Sequence, residues 1–345
     1  MVKFKAAILV EFGKIVVDEI SVFEKLNVGQ VLVKVNVSGI CGAQIGEIFG
    51  ARGHDPYLPH LLGHEGGGVV VDVGLGVLKV KPGDNVVMHW RKGSGIEASP
   101  PKYKWKDKVI GGGWITTFNE YAIISENRLT VVDKSVPFEV SALMGCAITT
   151  AFGIIDNEVR LKLGESVAVL GCGGVGLNVI QAADLSGAEP IIALDKYDHK
   201  LLSACKFGAT HKICTVGTDF RKLVMEVSGN GVDAFIECTG VPELITKALD
   251  VVKPAGGRLI LVGQPRYDQD VIFPKMRRNY CGKVIMDSQG GMVNPDVDIP
   301  RYVRLYQSNK LNASEIITHR FPLDRIDEAI SIVRSGEAGR CVLVM

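Results

Sequence analysis

The chain has 345 residues, more than one ordinary core accommodates, so two domains are expected. Hydrophobic residues make up 47% and charged residues 22%, the balance of a globular protein and not of a disordered or fibrous one. The formal net charge of +1 gives no global case for a nucleic-acid or membrane-surface partner, and no apolar run reaches the length of a bilayer span.

The opening MVKFKAAILVEFGK has a short apolar stretch without a small-residue cleavage site, and reads as a first strand, not a signal peptide. The first third then continues as Val- and Ile-rich runs separated by Gly-rich or KPGD turns: KAAILV, KIVVDEI, QVLVKVNV, GGGVVVDVG, DNVVMHW and NEYAIISEN. That pattern predicts a small barrel. Residues 91–113 are polar, rich in Pro and Gly and without clear periodicity, and read as a long surface excursion. From about residue 150 the rhythm becomes strand–helix alternation, with SVAVLG, PIIALD, HKIC, VDAFIE, RLILVG and KVIMD as buried strands. VGLNVIQAADLSG and DHKLLSACKFG are two of the helices between them, which predicts a parallel, doubly wound α/β sheet. The tail, PRYVRLYQSN, LDRIDEAISIVRSG and RCVLVM, returns to helix and strand. The eight cysteines are scattered singly, as expected of reduced thiols in a cytoplasmic protein.

Between the strand SVAVLG and the helix that follows, Gly171, Gly173 and Gly176 stand as G-x-G-x-x-G. The first glycine permits the tight turn, the second admits a pyrophosphate to the backbone, and the third lets helix and strand pack closely. The helix N-terminus then offers free N–H groups to phosphate. Asp195, nineteen residues beyond Gly176 at the end of PIIALD, can bind both ribose hydroxyls and would repel a 2′-phosphate, which points to NAD over NADP. Lys200 is either a second ribose contact or a solvated surface lysine.

Three further residues carry metal-ligand chemistry: Cys41 in GICG, His64 in LLGHEGGG and Cys146 in LMGCAITTAFG. Taken singly, each also fits a core position. Three Cys/His ligands with an open fourth position make a catalytic zinc site, not a structural one. The motifs GICG, GHEGGGVVVDVG, KPGDNVV, GCAITTAFG, GCGGVG with Asp195, and the closing RSGEAGR together resemble the zinc-dependent medium-chain alcohol dehydrogenases over essentially the whole chain. The resemblance implies a GroES-like β-barrel catalytic domain over 1–149 and 295–345, and a Rossmann NAD-binding domain over 150–294. It implies Cys41, His64 and Cys146 as zinc ligands, with Glu65 close behind and able to enter the coordination shell. Thr150 and Val175 match residues that pack on the nicotinamide, Gly174 belongs to the phosphate loop, and Arg340 matches a basic residue near the pyrophosphate. Trp90 and Ala43 fall at substrate-pocket positions.

Three departures from that family carry information. A Ser or Thr often follows the first ligand by two residues and relays the alcohol proton, but here Ala43 and Gly46 can neither donate nor accept. Proton exit by water is expected, with Glu65, Glu47, His54 and His89 as the alternatives. The acid that usually orients the ligand histidine is replaced by Gln44, which either accepts the imidazole N–H or faces elsewhere. The first option predicts tighter zinc binding in Gln44→Asp. The lobe that usually holds a structural zinc has no cysteine within 91–113, so one zinc per chain is expected. That segment is also basic, with Arg91, Lys92, Lys102, Lys104, Lys106 and Lys108 against Glu97 and Asp107, which fits either a solvated loop or recruitment of an anionic substrate.

The implied activity is NAD-dependent hydride transfer to or from a zinc-bound small polar alcohol or carbonyl, polyol or sugar-like, with phosphorylated sugars among the candidates. A zinc-free quinone or enoyl reductase and a catalytically silent nucleotide-binding protein are the alternatives. The expected assembly is a homodimer or homotetramer, with no nucleic-acid or membrane partner.

Overall fold

Alternation of apolar and polar side chains builds the first strands. β1 (Lys3–Glu11) buries Phe4, Ala6 and Ile8, and it pairs antiparallel with β2 (Lys14–Val22). Residues 2–22, 25–274, 277 and 281–345 are described in this computed structural model. The chain divides into two units, Met1–Thr149 with Asn294–Met345, and Thr150–Val293.

In the first unit β3 (Gln30–Gly39) leads into the short α1 (Gly42–Ile48), β4 (His60–Leu61) and β5 (Glu65–Val73). β6 (Asn85–His89), β7 (Lys102–Trp105), β8 (Lys108–Gly111), β9 (Tyr121–Ser125) and β10 (Leu129–Val131) follow, then α2 (Phe138–Met144) and α3 (Ala147–Gly153). β1, β2, β7, β8 and β4 close into a barrel. The excursion expected over 91–113 is therefore wrong in its second half. There KYKW and KVIG form a hairpin that turns Tyr103, Trp105 and Ile110 into the barrel core and Lys102 and Lys104 outward. The lysine–aromatic alternation of KYKW spans only four residues, and on β8 Val109 and Gly111 face outward beside buried Ile110, so the period-2 signal is short and broken. The first half of the segment stays irregular and is tied by the Glu126 carboxylate, which accepts the Ile96 N–H at 2.7 Å and, outside the segment, the Leu78 and Lys79 N–H groups at 2.7 and 2.8 Å. Burial alone would raise the Glu126 carboxyl, but these backbone donors hold it below the usual range.

The second unit is the doubly wound sheet. Its elements alternate as β11 (Val167–Leu170), α4 (Gly174–Leu185), β12 (Ile191–Asp195), α5 (Asp198–Lys206), β13 (His211–Cys214), α6 (Phe220–Ser228), β14 (Ala234–Glu237), α7 (Pro242–Ala248), β15 (Arg258–Leu261) and β16 (Val284–Asp287). All six strands run parallel, in the order β13-β12-β11-β14-β15-β16. β11 and β14 diverge to opposite halves of the sheet, so the crevice at their carboxyl ends is the topological switch point of this fold, where ligands bind. Ala168, Leu170, Ile192, Leu194, Phe220, Phe235 and Leu259 form its buried core.

The chain then returns to the first unit through α8 (Pro295–Gln307), β17 (Ile317–Pro322), α9 (Ile326–Ser335) and β18 (Arg340–Val344). β18 pairs with β3 inside a seven-stranded sheet ordered β10-β6-β5-β3-β18-β17, with β9 also on β3. The return begins at Asn294, whose side chain caps α8 by accepting the Asp296 N–H at 3.2 Å. Among the described residues no single helix is long and apolar enough to cross a membrane, and all eight cysteines are free thiols.

Candidate metal centre and coenzyme loop

Three chain junctions of the first unit converge on one point. Cys41 lies between β3 and α1, His64 immediately before β5, and Cys146 between α2 and α3. Their ligand atoms all lie within 4.8 Å of one another. The two sulfurs are 4.0 Å apart, close to the roughly 3.8 Å expected of two thiolates each about 2.3 Å from a tetrahedral zinc. Both cysteines are buried and His64 is half-buried. Hydrogen bonding from Cys146, joined by His64 and the positive charge of Arg340, holds the Cys41 thiol well below its ordinary range against the opposing effect of burial. A thiol that gives up its proton readily is what a metal ligand requires. The donor set, its spacing and its burial all fit a zinc ion.

The surroundings fix these ligands. Glu65 follows His64 and is fully buried, with Oε2 accepting the Ala147 N–H at 3.3 Å beside Cys146. Its other oxygen forms an ion pair with the Arg340 guanidinium, itself 5% exposed. Ser38 and Thr117 hydroxyls donate to the Glu65 carbonyl at 2.9 and 3.2 Å. Neither residue was legible as part of the site, since they lie 27 and 52 residues away along the chain. The glycines after Glu65 serve packing: a Cβ on Gly67 would stand 2.4 Å from the Phe138 carbonyl of α2.

Gln44 takes the second of the two options left open for it. Its Oε1 accepts the backbone N–H of Gly63 at 2.9 Å, not the His64 imidazole, and its Nε2 donates to Glu47 at 2.7 Å. Among the alternative proton groups, His89 is committed. Its ring nitrogens meet the Arg91 carbonyl and the Thr130 hydroxyl at 2.6 and 3.0 Å, and burial pushes its pKa down to about 4. His54 is exposed, and Glu47 is engaged by Gln44. Ala43 lies half-buried on α1, and Trp90 directly follows His89, the residue paired with Glu65, with the Arg91 guanidinium 5.4 Å from its ring.

In the second unit the loop after β11 has the shape its sequence predicts. Gly171 adopts φ +95°, and a Cβ on Gly176 would stand 1.9 Å from the Gly171 carbonyl oxygen. A Cβ on Gly173 would meet nothing, which leaves space above the loop at the start of α4, where Gly174 and Val175 are half-buried. Asp195 is buried at the end of β12, accepting the Cys172 and Tyr197 N–H groups at 2.7 and 3.0 Å. Lys200 lies with its ammonium 5.3 Å from the Tyr197 ring. Thr150 is buried on α3.

Comparison with known proteins agrees with both halves. Residues 27–134 match the "Alcohol dehydrogenase GroES-like domain" family and residues 174–307 match the "Zinc-binding dehydrogenase" family. An alcohol dehydrogenase of Malus domestica is 28% identical over 375 aligned positions that take in 100% of this chain and 98% of the relative. Alcohol dehydrogenase 2 of Oryza sativa subsp. japonica is 29% identical over the same shares. The crystal structure of benzyl alcohol dehydrogenase from Acinetobacter calcoaceticus superposes with a TM-score of 0.90 at 26% identity, covering 100% of both chains.

Proposed function

Because the chain belongs to the zinc-dependent medium-chain alcohol dehydrogenase family, we propose that this enzyme oxidises a small polar alcohol with NAD, at a single zinc held by Cys41, His64 and Cys146. The observation that carries the reading is the convergence of those three ligand atoms within 4.8 Å. Zinc there supplies Lewis acidity toward an alcohol or carbonyl oxygen, while the nicotinamide carries the hydride. Glu65 supports the ligands from behind. In the coenzyme unit the N–H groups from Gly173 to Gly176 receive the pyrophosphate. The Asp195 carboxylate takes the ribose hydroxyls and disfavours a 2′-phosphate, with Lys200 beside it. Thr150 and Val175 pack on the nicotinamide. Arg340 keeps donors beyond those facing Glu65, which suits the coenzyme-phosphate role the family resemblance implies for it. Trp90 and Ala43 line the substrate pocket, and with Ala43 and Gly46 lacking a hydroxyl the alcohol proton leaves through water.

Among polyol and sugar-like substrates, the exposed Lys102, Lys104 and Lys108 of the β7–β8 hairpin favour the phosphorylated sugars, because exposed ammonium groups attract an anion. The edge strand β16 leaves Val284 48% and Ile285 36% exposed, an apolar edge that supports assembly into a homodimer or homotetramer. Eight free thiols support a cytoplasmic location. The test is NADH formation against a panel of simple alcohols, polyols and phosphorylated sugars at low and high salt. A substrate oxidised with NAD at a salt-dependent kcat/KM supports the reading. No oxidation by metal-loaded protein with any panel member counts against it.

A further inference from the structure

We infer that Glu47 is a positioning residue for the metal centre, fixing the Gln44 amide in the one orientation that secures the turn carrying His64. The inference rests on the metal reading above.

A glutamine amide has an accepting end and a donating end, and its two rotated forms are nearly alike in shape. Its neighbours decide between them. The Gly63 N–H only donates, so it needs the oxygen, which it meets at 2.9 Å. The ionised Glu47 carboxylate only accepts, so it needs the amide nitrogen, which it meets at 2.7 Å. Gln44 and Glu47 are three residues apart on α1 and therefore neighbours on one helix face. The Arg52 guanidinium lies 3.9 Å from the Glu47 carboxylate. Gln44 is 2% exposed, so no water replaces a lost partner.

The turn it secures has little freedom. Gly63 adopts φ +92°, and a Cβ there would stand 2.5 Å from the Thr117 hydroxyl oxygen. The residue after it is His64. A rotated Gln44 amide would point N–H at N–H and displace the imidazole from Cys41 and Cys146. This arrangement also reverses the expectation for Gln44→Asp. An aspartate offers Glu47 no donor and sets two carboxylates against each other, so zinc binding weakens.

The experiment measures zinc affinity of the full chain by competition with a chromophoric chelator, and records visible spectra with cobalt in place of zinc. Glu47→Lys replaces the acceptor by a donor and rotates the amide. It is expected to raise the zinc dissociation constant roughly 10–100-fold and shift the cobalt bands. Adding Gln44→Glu to Glu47→Lys supplies a side chain that accepts from both Gly63 and the lysine, and is expected to restore most of the affinity and the spectrum. Glu47→Gln, whose oxygen still accepts from Gln44, is expected to stay near wild type. Wild-type affinity in Glu47→Lys, or no recovery in the double variant, overturns the inference. Should Glu47→Lys fail to fold, Gln44→Met removes both polar ends at the same length and is expected to weaken zinc equally, and unchanged affinity overturns the inference. Failure of the wild-type protein to bind either metal overturns the metal reading instead, which keeps the two outcomes apart.

Discussion

The Arg340 guanidinium and the Glu65 carboxylate form a buried ion pair one residue from His64. Breaking such a pair by removing one partner leaves an uncompensated buried charge. Arg340→Ala is therefore expected to destabilise the first unit by about 3–5 kcal/mol, read by denaturant unfolding. Combining it with Glu65→Gln, which removes the stranded charge, should recover part of the loss. Equal stabilities of the single and double variants would show that the pair is not electrostatically coupled.

The coenzyme loop separates two glycines that look alike in sequence. Gly176→Ala drives a Cβ to 1.9 Å from the Gly171 carbonyl, so melting temperature and NADH binding should fall together. Gly173→Ala meets nothing, so the fold should hold while NADH affinity drops, because the new methyl occupies space the pyrophosphate needs. Calorimetry beside NADH fluorescence titration distinguishes them. An unaltered NADH affinity in Gly173→Ala contradicts the proposed phosphate site.

His89 predicts a pH effect on stability. Its pKa falls from 6.5 unfolded to about 4 folded because burial disfavours the imidazolium. The unfolded chain thus binds the proton first, so this contribution is fully present above pH 6.5 and is lost as pH falls toward 4. The loss approaches the order of 3 kcal/mol across that window. His89→Gln, which does not titrate, should flatten this part of the stability–pH curve. An unchanged slope refutes the assignment.

Metal stoichiometry follows from the lobe at 91–113. No cysteine lies in it, and Glu126 ties its irregular half, through the Ile96 N–H, to the Leu78–Lys79 turn, whose two N–H groups the same carboxylate accepts. Elemental analysis should give one zinc per chain. Glu126→Ala should loosen the lobe, seen as faster amide exchange at Leu78, Lys79 and Ile96, without changing that number. Two zinc ions per wild-type chain would contradict this.

Residues that are close in sequence or sit in local motifs were legible in the letters alone. The central coenzyme-unit strands β11, β12 and β14 are short and fully buried, while the edge strands β13 and β16 are more exposed than their apolar letters suggest, and the phosphate loop needs glycine for local steric reasons that the chain spells out within six residues. Cys41, His64 and Cys146 were readable through the motifs around them. What escaped was set by distant partners. β7 and β8 are only four residues each, with an exposed valine breaking the alternation on β8, and nothing near Gln44 announces that Gly63 waits for its oxygen. Arg340 meets Glu65 only because β18 threads beside β3 at the far end of the chain.

The central claim is that Cys41, His64 and Cys146 hold the catalytic zinc. Its most direct test is zinc quantification on wild type and Cys41→Ser purified without chelator, with NADH formation from an alcohol assayed on the same samples. The account predicts one zinc per wild-type chain, and loss of both metal and activity in a Cys41→Ser protein that remains folded. Activity retained by metal-free Cys41→Ser would contradict it.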